Sequence, residues 1–140
     1  MTSFNEVENE KIWGKIHDFA TQNINKPLLI LNPEKQQKFN IIEVADSYLK
    51  VDKLGISLTK DMFLVVFNYL KNSGNWVNIG ATHTNTRKNT VEGVLKEMFH
   101  GGNMDALSTA TWVAAILVKS GIGISFNNVP RGQALKFKIN

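Results

Sequence analysis

Apolar side chains recur along this chain with two periods, and the switches between them mark out the elements. Val7, Ile12, Trp13, Ile16, Phe19 and Ala20 return every three or four residues, which predicts an amphipathic first helix. Ser3 or Asn5 can cap its start, Gly14 sits inside it, and Asn23, Asn25 and Pro27 end it. Leu28 to Leu31 is a short apolar run between prolines and reads as a strand. Phe39 to Val44 and Tyr48 to Val51 flank Ala45-Asp46-Ser47, which predicts a hairpin. Ile56-Ser57-Leu58 adds a further short strand. A continuous helix from Lys35 to Leu49 is the competing reading of this stretch. Its β-branched and aromatic residues around an Asp-Ser turn favour the hairpin.

The second half is helical until its last twenty residues. Thr59 reads as an N-cap, with Asp61 in the first turn of a helix from Lys60 to Lys71. Met62, Phe63, Val66, Phe67 and Leu70 make that helix apolar nearly all round, so it belongs at the centre of the core. Trp76 to Ile79 is a short extended piece. Asn89 with Glu92 three residues later has the form of a capping box for a helix from Thr90 to Phe99. Val91, Val94, Leu95 and Met98 would form its buried face, with Glu92, Lys96 and Glu97 turned away. Ser108 caps the next expected helix, Thr109 to Ser120, and Gly121 ends it. Ile122 to Phe126 and Ala134 to Ile139 form a terminal hairpin. Its last strand alternates Leu135, Phe137 and Ile139 with Lys136 and Lys138, giving a half-buried strand with a basic outer face.

These elements predict one α+β domain of 140 residues. Residues 1–58 hold the N-terminal helix and a small β-meander, and residues 59–140 hold a three-helix core closed by a C-terminal β-hairpin. The hydrophobic content of 43% suffices for a buried core. The absence of cysteine excludes disulfides, thiolate catalysis and sulfur-ligated zinc, and fits a cytoplasmic protein. The acidic start is unlike a signal peptide. The apolar run Trp112 to Val118 falls far short of the roughly 20 residues a membrane span needs.

Charge changes the picture more. Residues 1–70 carry eight lysines against nine acidic residues, whereas residues 71–140 carry six lysines, Arg87 and Arg131 against Glu92, Glu97 and Asp105. The formal charge of +4 is therefore a slightly acidic first half and a basic second half, which points to an anionic partner.

The order of elements from Thr59 to Ile139 is helix, short strand, helix, helix, hairpin. It resembles a winged helix-turn-helix domain. The resemblance implies a transcription-regulating DNA binder, with a helix in the major groove and a wing on the phosphate backbone. The loop His100 to Leu107 is longer than the tight turn of that family, and the polar stretch Thr82 to Thr90 has no fixed counterpart in it.

That stretch carries the main candidate chemistry. It holds no large apolar residue and leads into a helix N-terminus, whose free N–H groups suit a phosphate. Arg87 can grip a phosphate or a guanine edge and Lys88 can act as a point charge. Asn85, Thr86 and Asn89 can donate to backbone oxygens. Lys96 on the following helix, and Arg131, Lys136 and Lys138 on the terminal hairpin, complete the candidate contact set. The bland alternatives are a solvated loop with an ordinary cap and a lysine-guarded edge strand. His17, His83 and His100 lack metal-ligand spacing, no nucleophile motif is present, and His17 falls near the apolar face of the first helix. Core packing is the expectation for Trp13, Trp76 and Trp112, with stacking on bases the alternative for Trp76, which begins an extended piece beside the polar loop. The sequence thus predicts a non-catalytic protein without cofactor or metal, binding double-stranded DNA, able to form a homodimer and not attached to a membrane. A protein–protein interaction module is the alternative.

Overall fold

The computed structural model describes residues 4–31, 37–53, 55–81, 86–99, 101–104, 108–129 and 132–138. Its architecture is α+β, with four helices and three small antiparallel sheets among those residues.

Helix α1 (Phe4–Gln22) opens the chain. It buries Ile12, Trp13, Ile16 and Ala20, the predicted stripe, although Val7 lies outside on the solvent side. The strands β1 (Leu28–Leu29) and β2 (Lys38–Phe39) pair with each other, Leu28 opposite Phe39. The predicted hairpin forms as β3 (Ile41–Val44) and β4 (Tyr48–Val51), and β5 (Ser57–Thr59) adds to the far side of β4. Alternation places Leu49, Val51 and Leu58 inward, fully buried. Across the open side of this meander the Asp52 carboxylate accepts from Asn40 N at 3.0 Å and from Asn40 Nδ2 at 3.1 Å. The backbone bond from Asn40 holds the Asp52 carboxyl below its ordinary range. On the hairpin, the Tyr48 hydroxyl donates to Glu43, which pushes the phenol pKa up.

Helix α2 (Lys60–Ser73) follows directly. Thr59 caps it as expected, its hydroxyl accepting from Met62 N at 3.2 Å, and Gly74 closes it in the left-handed conformation. Six buried apolar residues, from Met62 to Leu70, make it the centre of the core. Helix α1 lies along it, held by an Asn68–Asn9 hydrogen bond at 2.9 Å and the ion pairs Lys60–Glu10 and Lys71–Glu8. The other edge of α1 reaches the meander, where Trp13 Nε1 donates to Asp46 O at 2.9 Å.

Strand β6 (Val77–Asn78), helices α3 (Val91–Phe99) and α4 (Ala110–Lys119), and strands β7 (Ile124–Val129) and β8 (Gly132–Phe137) complete the chain. The terminal sheet has the order β6-β8-β7. Its inner face meets α2, where Phe137 meets Phe67 edge-on at 5.5 Å between ring centres. One contiguous cluster of buried apolar residues runs from Ile12 to Leu135. Residues of α1 and of the strands β2 to β5 therefore share one core with α2, α3, α4 and the terminal sheet. No helix among the described residues is long and apolar enough to cross a membrane.

Candidate nucleic-acid interface

The polar stretch ahead of α3 is pinned to that helix by a set of small residues. Thr90, rather than Asn89, is the cap. Its hydroxyl accepts from Gly93 N at 3.0 Å and donates to Arg87 O at 2.7 Å. The expected Asn89–Glu92 capping box is thus replaced by one hydroxyl that bonds both the turn and the helix. Gly80, with φ of 63°, lies flat against Thr90, and a methyl group there would sit 2.6 Å from its Cβ. A methyl group on Gly93 would sit 2.1 Å from Arg87 O. The turn Arg87-Lys88-Asn89 therefore rests on the helix backbone itself, with its three side chains exposed.

The face of α3 is not the expected one. Val91 and Leu95 are buried, but so are Glu92 and Lys96, while Met98 is 60% exposed and Phe99 is also exposed. Lys96 Nζ donates to Thr86 Oγ1 at 2.7 Å and to Met104 O at 3.0 Å, and Thr86 N reaches the same carbonyl at 3.4 Å. Lys96 and Thr86 are therefore removed from the expected contact set, because both are buried in a bond to each other. Glu92 serves the next helix. Its Oε1 accepts from Thr109 N at 2.8 Å, from Ala110 N at 3.2 Å and from the Ser108 hydroxyl. Thr109 occupies the cap position of α4 without a side-chain cap bond of its own. A carboxylate from α3 thus satisfies donors at the positive end of α4. The sequence expected Ser108 to do this.

Both helix N-termini are committed to protein acceptors. At α3, Gly93 N is bound by Thr90 and Glu92 N donates to Ile79 O at 2.9 Å. At α4, Glu92 takes Thr109 N and Ala110 N. The expected phosphate site on the N–H groups of α3 has lost these two donors. Helix α4 offers little besides: Val113 to Leu117 are fully buried and Lys119 is its one charged residue.

The terminal sheet keeps the predicted alternation. Leu135 faces the core, while Lys136 is half-buried and Lys138 exposed on the other face. Val77 pairs with Leu135 and is buried, so Trp76 beside it points outward. Trp76 is 42% exposed, with Lys136 Nζ 5.9 Å from its ring centre. The core expectation holds for Trp13, which is buried against Phe63 and has His17 edge-on, and Trp112 packs partly buried against the core. It fails for Trp76. The signal was in the sequence, since Trp76 has the parity of polar Asn78 and the opposite parity to Val77.

Of the expected contact residues, Arg87, Lys88 and Asn89 share one exposed turn, and Lys136 and Lys138 share the outer face of the sheet. Asn85 and Arg131 lie outside the described residues, as do His83, His100 and Asp105. Comparison with protein-family models, with characterised proteins and with solved structures gives no match for this chain.

Proposed function

We propose that this chain is a non-catalytic nucleic-acid-binding module of winged-helix type that makes contact through its basic turn and terminal sheet. The observation that carries the reading is the Arg87-Lys88-Asn89 turn. Two cations and an amide stand exposed on a backbone that Thr90 and Gly93 hold against α3. A cation on a fixed turn loses less freedom on meeting a phosphate than one on a loose loop. Support comes also from topology: helices α2, α3 and α4, followed by a hairpin with β6 on its β8 edge, follow the element order of that family.

The mode of contact differs from a helix laid in the major groove. The exposed side of α3 carries Glu97, Met98 and Phe99, and α4 is buried along most of its length. Neither presents a row of donors to base edges. Electrostatic attraction to phosphates then supplies most of the affinity.

Fluorescence anisotropy with labelled DNA at two salt concentrations tests this. Binding at low salt is expected, with affinity falling steeply as salt rises. An Arg87→Ala, Lys88→Ala pair should flatten the salt dependence by about one to two units of log–log slope. Absence of binding to any nucleic acid at low salt overturns the proposal. One observation favours a protein-interaction reading instead, the exposed Met98 and Phe99 at the end of α3. If that reading holds, Met98→Lys should abolish self-association measured by sedimentation.

A further inference from the structure

The outer face of the terminal sheet is more specific than a basic surface. Register sets its side chains in two rows. In one, Trp76 stands beside Lys136, which pairs with Ser125 on β7. In the next, Asn78 and Asn127 flank the small Ala134, since both strands pair with that residue. Adjacent strands lie about 5 Å apart, so the two amides stand about 10 Å from each other across a shallow dip. Trp76, Asn78 and Asn127 are exposed, Ala134 between the two amides is buried, and the Lys136 ammonium lies over the indole ring.

We infer that this face binds single-stranded nucleic acid by stacking a base on Trp76. The inference rests on the nucleic-acid reading above and names the form of the ligand. An indole needs the flat face of a base, and in a duplex that face is covered by its neighbours, whereas an unpaired strand offers it freely. A major groove admits a helix or a two-stranded ribbon, so a three-stranded face is the wrong shape to enter it. Lys136 stands where the phosphate of the stacked nucleotide, or of its neighbour, comes within reach. Asn78 and Asn127 each offer a donor and an acceptor to the edges of the following bases.

The test uses the whole protein with a twelve-residue oligo(dT) and a duplex of equal length, followed by anisotropy and by quenching of tryptophan fluorescence. The single strand should bind about tenfold or more tighter than the duplex and should quench the emission. Trp76→Ala should weaken single-strand binding by about tenfold or more, and Lys136→Gln should reduce the single-strand salt slope by about 0.7. Circular dichroism of both variants checks that they are folded, as expected for exposed or half-exposed positions. Duplex binding equal to or tighter than single-strand binding, with Trp76→Ala neutral, overturns this inference while leaving the nucleic-acid reading standing. Binding to neither form overturns both.

Discussion

At the junction of α3 and α4, Thr86, Thr90, Glu92, Lys96, Ser108 and Thr109 turn inward, and they are the buried polar residues among those described. On the terminal sheet, Lys136, Lys138, Asn78 and Asn127 turn outward, and an indole joins them. Polar residues in the first region bond to one another and to backbone, apart from Glu92 Oε2 and Thr109 Oγ1, which have no partner among the described residues, and their work is to fix the chain. In the second they stay in reach of solvent and of a ligand. A cluster of threonines and charges in the sequence can therefore be a structural joint, while a tryptophan in a strand can be surface. Burying polar groups demands that each find a partner, so the junction tolerates little change; the sheet face carries no such demand.

Substitution can break or sharpen that contrast. The largest effect is expected for Glu92→Ala, which strips Ser108, Thr109 N and Ala110 N of their shared acceptor. It should cost about 3 kcal/mol in chemical denaturation. Gly93→Ala comes next. Replacing a glycine inside a helix by alanine normally stabilises, yet here the methyl group would meet Arg87 O, and a loss of about 2 kcal/mol is expected. Lys96→Met keeps the aliphatic stem and deletes the bonds to Thr86 and Met104. A loss of about 1 to 2 kcal/mol is expected, with nucleic-acid affinity of the folded protein unchanged. Reduced affinity at full stability would instead mean that Lys96 touches the ligand. Trp76→Ala should leave stability within about 0.5 kcal/mol.

A smaller effect belongs to the N-terminal meander, where an exposed carboxylate acts as a local staple. Asp52 has its folded pKa lowered, so its contribution is present above the ordinary value of 3.8 and is lost as pH falls through the lowered folded value. Asp52→Asn should be slightly less stable than the parent near neutrality, with the gap closing in acid. Urea midpoints measured across that range check it.

Legibility followed the same divide. The meander, α2 with its Thr59 cap and the hairpin could be read from sequence, because each is set by local period, turn and cap chemistry. The phase of α3 could not. Val94 and Met98 are as apolar as Val91 and Leu95, yet Val94 is half-buried and Met98 exposed, because partners distant in sequence draw Glu92 and Lys96 inside with Val91 and Leu95. Gly93 was the available hint, since a glycine in mid-helix marks a close approach of other backbone on that side. Of the candidate contacts, the exposed trio Arg87, Lys88 and Asn89 and the outward Lys136 and Lys138 were legible from polarity and alternation. The places of Lys96 and Thr86 are not, because a charge and a hydroxyl signal exposure in a sequence, whereas here they are buried and bonded to each other.

The bond between Glu92 and the start of α4 also bears on how the chain assembles. Helix α4 has no side-chain cap bond of its own and takes its acceptor from a residue 17 positions earlier. Its first turn is therefore incomplete until α3 has docked, and α3 leaves a buried carboxylate without those donors until α4 arrives. The two helices must gain order together. Amide protons in the first turn of α4 should exchange with solvent at the rate set by the opening of α3, so that two helices separate in sequence behave as a single cooperative unit.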